Sequence, residues 1–289
     1  MRLRYDYLFG NKSGVVLITS DDVLARDLAA AAGSRLLTLR AAGGEPAELR
    51  SAGDRQSHEF LAAELARLRP DDAVLSEEGV DDPARLSASR VWIIDPLDGT
   101  REFGEPGRTD WAVHVALWER GELTAGAVAL PAQGGADGTG IVLSTAEPIA
   151  APPVQSPLRL LVSRSRPPEF VRELAQELGA TLIPLGSAGA KAAAVIRGEA
   201  DAYVHSGGQY EWDSAAPVAV ARSAGLHTSR IDGSELVYNQ ASPSLPDILI
   251  CAAAVAPLLL KTIDSLRPGA TPGLASPGSS TTRTDTELS

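Results

Sequence analysis

Residues 92–100 read WIIDPLDGT, and this stretch decides the fold class and the chemistry of the chain. Its apolar opening predicts a buried β-strand. Pro96 predicts the end of that strand, because proline has no N–H to donate, and Gly99 permits a tight turn. Asp95 and Asp98 are thereby held at the mouth of a rigid strand. Two carboxylates in this position predict a site for a hard cation, and oxygen-only ligands suit Mg²⁺ better than Zn²⁺.

Two further acidic motifs accompany this one. The segment AVLSEEG, residues 73–79, ends a second short apolar strand with Glu77 and Glu78. The segment EWDSAAP, residues 211–217, places Asp213 at the start of an alanine-rich helix. A single Asp-x-x-Asp also fits a solvated turn. A strand-end Glu, a strand-end Asp pair and a helix-start Asp in one chain instead favour a metal site.

The motifs SEE, DPLDGT and WDSAAP, in this order and at this wide spacing, resemble the inositol monophosphatase-like superfamily of Mg²⁺-dependent, lithium-sensitive phosphatases. Within it, DGTREF, VSRSR, GSAGAK and DAYVHSGGQYEWDSAAP are most similar to the bacterial 3′-phosphoadenosine 5′-phosphate phosphatases of the CysQ type. The resemblance covers about residues 20–265. It implies an α-β-α-β-α sandwich with the active site between the two halves of the chain.

The order of apolar patterns independently predicts a layered α/β (α+β) architecture of mixed strands and helices. We expect an irregular leader over 1–19, a phosphatase domain over 20–266 with halves of about 20–150 and 157–266, and a disordered tail over 267–289 that is poor in large apolar residues. The predicted helices cover about 21–36, 54–69, 168–178, 188–198, 212–224 and 246–266, and the predicted strands cover 73–76, 90–94, 111–118, 123–130, 158–163, 180–186 and 200–206.

Composition limits the partners of the protein. The 289 residues are 44% hydrophobic, which suffices for one large domain, and 26 basic against 37 acidic residues give a net charge of −11. This charge argues against binding to nucleic acid polymers or anionic membranes.

No apolar segment is long enough for a signal peptide or a membrane span, so we expect a cytoplasmic protein. The single cysteine, Cys251, lies in an apolar run read as helical, and we expect a buried structural thiol. The four histidines lack ligand spacing and are expected to be packed or surface imidazoles.

The resemblance implies a role for each acidic residue. Glu77, Asp95 and the carbonyl oxygen of Leu97 would hold a first Mg²⁺, and Asp95, Asp98 and Asp213 a second, with a third ion possible near Asp54. Glu78 is expected outside the direct ligands. Asp54 and Thr100 would position and deprotonate the attacking water, which the metal ions activate. Sequence pattern alone favours Asp54 as the N-cap of a helix, and only the resemblance favours the catalytic role.

The resemblance also implies contacts with the substrate. Small residues at helix starts let backbone N–H groups approach phosphate. Ser163 and Arg164 are expected to meet the sugar or the 5′-phosphate. Arg101 and Arg166 are reserve candidates for this contact that fit surface ion pairs better. For GSAGAK, a close-packed strand-to-helix turn is the alternative reading. The expected substrate-binding residues are Asp98, Gly99, Thr100, Ser163, Arg164, Gly186, Ser187, Lys191 and Asp213.

The function implied is that of a Mg²⁺-dependent 3′(2′),5′-bisphosphate nucleotidase linked to sulfur assimilation, which hydrolyses 3′-phosphoadenosine 5′-phosphate to AMP and phosphate. The sulfated parent of this nucleotide is a second candidate substrate. An inositol monophosphatase or another sugar-phosphate phosphatase is the alternative within the same class. A non-catalytic metal-dependent binding protein is a third reading, but it would be marked by loss of an acid or of Thr100, and each is present. Family analogy allows a monomer or a homodimer.

Overall fold

The first half of the chain forms a five-stranded sheet covered by two long helices. The computed structural model describes residues 19–134, 140–150 and 152–266, so the predicted tail and all but one residue of the predicted leader lie outside the described residues. Strand β2 pairs parallel with β1, and every other pairing in the sheet is antiparallel. The strands are β1 Ala73–Ser76, β2 Arg90–Asp98, β3 Ala112–Glu119, β4 Glu122–Leu130 and β5 Ile141–Ser144, in spatial order β1-β2-β3-β4-β5. The helices are α1 Asp21–Ala42, α2 Pro46–Leu68 and the short α3 Thr100–Gly104.

The second half forms another five-stranded sheet. Here β6 pairs parallel with both β7 and β8, while β10 runs antiparallel to β8 and β9. The strands are β6 Arg159–Ser163, β7 Thr181–Leu185, β8 Ala202–Tyr210, β9 His227–Ser229 and β10 Ser244–Cys251, in spatial order β7-β6-β8-β10-β9. The helices are α4 Glu169–Leu178, α5 Ala188–Ile196, α6 Glu211–Ser223 and α7 Ala256–Leu266, with 3₁₀ turns at Pro83–Ser87 and Ala253–Val255.

Three apolar clusters join these elements into five layers. Strand β2 shows why, because successive side chains of a strand point to opposite faces. Trp92 and Ile94 pack with α1 and α2 on the outer face of the first sheet. Val91 and Ile93 face a central cluster that contains α5 and α6 and the inner face of the second sheet. A third cluster packs α4 and α7 on the outside of the second sheet. The predicted α-β-α-β-α sandwich is therefore confirmed.

Several predicted boundaries are wrong, and each has a physical reason. Helix α2 begins at Pro46 rather than near Asp54, because proline fits the first turn of a helix. Strand β2 continues through Pro96, because the pairing with β3 is irregular between Asp95 and Asp98 and needs no regular ladder bond there. Strands β5 and β9, of four and three residues, were not predicted.

The predicted helix over 246–266 is wrong in its first part. Residues 244–251 form β10, which is buried on both faces: Ile248 and Ile250 enter the central cluster, and Leu249 and Cys251 the outer one. A strand buried on both faces reads as a continuous apolar run, which is easily taken for a helix. Cys251 is buried as predicted, but at the end of a strand. In the described part of the chain, no helix is long and apolar enough to cross a membrane.

Candidate active site

A cleft of about 320 Å³ contains most of the predicted site residues. The end of β2 and the start of α3 form one wall, and the ends of β6 and β8 with the starts of α5 and α6 form the other. The predicted residues in its lining are Glu77, Asp95, Leu97, Asp98, Gly99, Thr100, Ser163, Gly186, Ser187, Lys191 and Asp213. Asp54 reaches the cleft through Thr100, and Arg164 is not part of the lining.

Three carboxylates converge on the floor of the cleft. Oxygen atoms of Asp95, Asp98 and Asp213 lie within 4.8 Å of one another. Burial, followed by the charges of Glu77 and Asp98, raises the pKa of Asp95 well above its usual value. Burial and the charge of Asp98 raise the pKa of Asp213 to about 6. Like charges this close cost free energy unless a cation lies between them, and their all-oxygen donor set fits a hard divalent cation.

Glu77 lies at the rim of the same cleft. Glu77 is exposed as a whole residue, yet its carboxyl group approaches Asp95. Partial burial of this carboxyl group and the charge of Asp213 raise the pKa of Glu77 to about 7. Glu78 is also exposed and lies outside the cluster of three carboxylates, while its charge acts on Asp54. The structure therefore brings Glu77 next to the other predicted metal ligands, whereas Glu78 lies close enough to Asp54 for its charge to act on that residue.

Asp98 is held by the first turn of α5. Its Oδ2 accepts hydrogen bonds from the hydroxyl of Ser187 at 2.5 Å and from the N–H of Gly189 at 2.6 Å. Its Oδ1 accepts one from the N–H of Ala188 at 3.1 Å. Burial alone would raise the pKa of Asp98, but His114, the hydroxyl of Ser187 and the charge of Lys191 lower it to about 2. Asp98 is thus the one acid of the cluster whose charged form the protein stabilises.

This arrangement corrects the predicted role of Ser187. The hydroxyl of Ser187 donates its only proton to Asp98 and accepts the N–H of Ala190 at 2.9 Å, as the N-cap of α5. The hydroxyl is therefore already used when the substrate arrives. Ser187 helps to shape the site through Asp98, and a direct substrate contact by its hydroxyl is not supported.

His114 is a residue of the site that the sequence analysis did not identify. It comes from β3 and is fully buried. Its Nδ1 lies 3.0 Å from the carbonyl oxygen of Trp212, and its Nε2 lies 3.3 Å from Oδ2 of Asp98. Burial is the largest single influence and lowers the pKa of His114, but Asp98, the carbonyl oxygen of Trp212 and the charge of Asp213 together outweigh it, so the net direction is upward. A lone histidine on an alternating strand carries no signal that distinguishes this position from ordinary packing.

Asp54 and Thr100 meet although they come from different elements. The hydroxyl of Thr100 lies 3.1 Å from Oδ1 of Asp54 and 3.1 Å from the carbonyl oxygen of Leu97. Asp54 lies well inside α2, so the alternative N-cap role is wrong. Burial, then the charge of Glu78, raises the pKa of Asp54 to about 6. A carboxylate with this pKa is suited to accept a proton near neutral pH.

The helix that carries Asp54 is fixed against the end of β2. The hydroxyl of Ser57 donates to the carbonyl oxygen of Pro96 at 2.7 Å. Gly53 is buried, and a Cβ atom there would lie 2.8 Å from side-chain carbons of Leu97 and Phe103. Sequence reasoning did not identify Gly53, yet its missing side chain is what allows the helix to approach the site so closely.

The opposite wall of the cleft carries basic side chains. Lys191 is almost completely buried, and its ammonium group donates to the carbonyl oxygens of Gly186 and, at 2.7 Å, of Ser187. Burial lowers its pKa to about 8, which leaves it mostly charged at pH 7. Arg166 and His205 also line this wall. Sequence reasoning had assigned Arg166 to a surface ion pair and did not single out His205 for the site.

Arg164 requires a correction. Its Nη2 donates to Glu102 at 2.6 Å and to Glu105 at 3.0 Å. The guanidinium group is therefore paired with two carboxylates, and although Glu102 lines the cleft, Arg164 does not. The predicted contact between Arg164 and the substrate is therefore not supported. Arg166, two residues further along, lies where Arg164 was expected.

Comparisons with known proteins support this description. A sequence model of the inositol monophosphatase family matches residues 20–265. The chain is 55% identical over 240 residues to a 3′-phosphoadenosine 5′-phosphate phosphatase of Mycobacterium bovis, covering 80% of this chain and 89% of the relative. It is 50% identical over 255 residues to the protein of the same name from Mycobacterium leprae, covering 84% and 93%. The crystal structure of CysQ from Bacteroides thetaiotaomicron matches with a TM-score of 0.68 at 26% identity, covering 80% and 97%.

Proposed function

Because the chain belongs to the inositol monophosphatase family, whose members are metal-dependent, we propose that it is a Mg²⁺-dependent phosphatase that removes the 3′-phosphate of 3′-phosphoadenosine 5′-phosphate. The products are AMP and phosphate. The two mycobacterial relatives at 55% and 50% identity bear the name of this activity. The charges that line the cleft explain how the site would select a bisphosphate.

The observation that carries the proposal is the division of charge within one cleft. Asp95, Asp98 and Asp213 form its acidic floor, where cations would neutralise the phosphate that is cleaved. Lys191 and Arg166 line the other wall. A substrate with a second phosphate gains charge-assisted hydrogen bonds there, which a monophosphate such as inositol 1-phosphate does not offer.

The residues that would hold the cations are Glu77, Asp95, the carbonyl oxygen of Leu97, Asp98 and Asp213, and we propose two or three Mg²⁺ ions. When bound, the cations neutralise the phosphate, favour deprotonation of water and stabilise the leaving oxygen. The protein itself orients the attacking water and provides a path for the proton that this water loses.

Thr100 and Asp54 provide that path. When the hydroxyl of Thr100 donates its proton to Oδ1 of Asp54, the lone pairs of its oxygen remain to accept a hydrogen bond from the attacking water. The water is thereby oriented, and its proton passes through the Thr100 hydroxyl to the Asp54 carboxylate. Gly99, which has a left-handed conformation at φ 86°, turns the chain into α3, and the N–H groups of residues 99 and 100 would donate to the phosphate.

We propose one catalytic unit over residues 20–266 that acts in the cytoplasm on small phosphorylated nucleotides, as a monomer or a homodimer, in sulfur assimilation. The net charge of −11 supports a small substrate over a nucleic acid polymer.

A phosphate-release panel tests the proposal. The purified full chain with Mg²⁺ is given 3′-phosphoadenosine 5′-phosphate, its sulfated parent, inositol 1-phosphate and fructose 1,6-bisphosphate at equal concentrations, and kcat/KM is compared. We expect the first to exceed inositol 1-phosphate by at least about tenfold, which corresponds to about 1.4 kcal/mol of transition-state binding. AMP should be the only nucleotide product formed from 3′-phosphoadenosine 5′-phosphate. A larger kcat/KM for inositol 1-phosphate would contradict the proposed substrate while leaving the family membership intact.

A further inference from the structure

The imidazole ring of His114 lies behind the acidic floor and contacts elements from both halves of the chain. Nε2 is 3.3 Å from Oδ2 of Asp98, at the end of β2. Nδ1 is 3.0 Å from the carbonyl oxygen of Trp212, at the start of α6. Nδ1 is also 4.0 Å from Oδ2 of Asp95. The side chain is fully buried, so solvent does not compete for these contacts.

The contact with Trp212 fixes the position of Asp213. Trp212 directly precedes Asp213 in the first turn of α6, so a hydrogen bond to its carbonyl oxygen holds the backbone next to that carboxylate. The Asp213 side chain itself accepts the N–H of Tyr210 at 2.7 Å, which ties it to the same turn. A shift of this turn relative to β3 would therefore carry Asp213 with it.

The first turn of α5 is packed directly on the same ring. A Cβ atom at Gly189 would lie 2.0 Å from Nε2 of His114, so only glycine fits this position. The N–H of Gly189 donates to Asp98 at 2.6 Å. The His114 ring is thus in contact with the end of β2, which carries Asp98, with the first turn of α5, which holds Asp98, and with the first turn of α6, which carries Asp213.

Simple packing does not explain a histidine here. Burying a polar ring costs free energy unless its nitrogen atoms find partners, and an apolar side chain would fill the same space without that cost. Nδ1 is hydrogen-bonded to the carbonyl oxygen of Trp212, whereas Nε2 is 3.3 Å from Oδ2 of Asp98 at ion-pair distance and has no hydrogen-bond partner among the described residues. Neither nitrogen faces the open cleft, so the ring is not placed as a cation ligand. Its position is that of a partner behind the ligands, a kind of residue whose loss lowers metal affinity in many proteins.

We propose that His114 is a positioning residue that sets the spacing between Asp98 and Asp213 and thereby the affinity of the cleft for divalent cations. The inference rests on the proposed metal-dependent function, but it does not depend on which phosphate ester is hydrolysed. It applies to the protein before any substrate binds.

The test measures Mn²⁺ binding to the full chain without substrate, by titration calorimetry and by the electron paramagnetic resonance spectrum of the bound ion. His114→Phe removes both contacts, and we expect about 10–100-fold weaker binding and an altered spectrum. His114→Asn retains a donor near the position of Nδ1 for Trp212, and His114→Gln retains one near Nε2 for Asp98. Each should recover part of the lost affinity, because each restores one of the two links.

Val113→Ala is the matched control. Val113 neighbours His114 on β3 but faces the outer cluster with α1 and α2, so its truncation weakens the strand without touching the acids. It should bind Mn²⁺ as the unmodified protein does. If His114→Phe does not fold, the comparison of the Asn and Gln variants decides. Unchanged affinity in the folded His114 variants, or equal losses in these variants and in Val113→Ala, would overturn the proposal. A failed substrate panel with intact Mn²⁺ results would instead contradict only the proposed substrate.

Discussion

The hydroxyl of Thr100 lies 3.1 Å from Oδ1 of Asp54, across 46 positions of sequence. This contact predicts that the two residues act as a unit. Asp54→Asn and Thr100→Val should each lower kcat by about 10²–10⁴-fold, because each interrupts the transfer of a proton from water. The double variant should lose little more than either single one, which steady-state kinetics will show.

A measurement of metal binding distinguishes a proton-transfer role of Asp54 from a role as a metal ligand. Asp54→Asn leaves Asp95, Asp98 and Asp213 unchanged, so calorimetry should still detect a bound Mg²⁺. Complete loss of binding in this variant would identify Asp54 as a primary ligand instead. Asp98→Asn is the comparison variant, because it removes a central charge of the cluster and should abolish turnover.

Removal of metal should affect both activity and stability. We expect a chelator to abolish phosphate release and to lower Tm, because the carboxylates of the cluster then repel one another without a cation between them. Added Mg²⁺ should restore both. Ca²⁺ should bind without supporting turnover, since its looser coordination does not hold the compact geometry. Full activity in excess chelator would contradict the metal-dependent mechanism.

The raised pKa of Asp213 predicts a pH-dependent change in stability. Its pKa is raised from 3.8 to about 6, so its ionised form destabilises the metal-free fold above about pH 6, and this cost disappears as the pH falls toward 4. Asp213→Asn should therefore stabilise the metal-free protein at pH 7 by about 1–3 kcal/mol and have little effect at pH 4. Denaturant unfolding in chelator at the two pH values measures this difference. A destabilised variant at pH 7 would show that the hydrogen bond to Tyr210 outweighs the repulsion.

The close packing around Gly53 predicts that a side chain at this position lowers both stability and catalysis. In Gly53→Ala the new methyl group meets Leu97 and Phe103 at 2.8 Å, so α2 must move away from β2. We expect a loss of about 1–3 kcal/mol in the free energy of unfolding and a lower kcat, because Asp54 moves with the helix. Ser51→Ala, at an exposed position of the same helix, is the control and should change neither quantity.

The acidic floor could be predicted from the sequence because its signals are local. Proline and glycine after an apolar run place Asp95 and Asp98 at a strand end, and the alanine-rich pattern after Asp213 marks a helix start. The layered fold followed from the same patterns and was sharpened by the family resemblance. The link between Asp54 and Thr100 was available only from that resemblance.

The features that could not be predicted depend on partners far away in sequence. His114 is 98 positions from Trp212, and its strand pattern is the same whether it packs or positions a carboxylate. The strand β10 resembles a buried helix until the second sheet supplies apolar neighbours on both of its faces. The different roles of Arg164 and Arg166 depend on Glu102 and Glu105, which reach the loop from α3 and from the residue that follows it.

The two arginines give the sharpest test of substrate choice. Arg166 lines the cleft, whereas Arg164 is paired with Glu102 and Glu105. Arg166→Ala should lower kcat/KM for 3′-phosphoadenosine 5′-phosphate by about tenfold and leave the slow reaction with inositol 1-phosphate unchanged, because only the bisphosphate loses a charge-assisted contact. Arg164→Ala removes a positive charge from the same loop and is the matched variant. It should lower Tm, since Glu102 is left buried without its partner, but should retain the ratio of the two kcat/KM values. If Arg164→Ala changes this ratio and Arg166→Ala does not, the second phosphate binds on the other side of the loop.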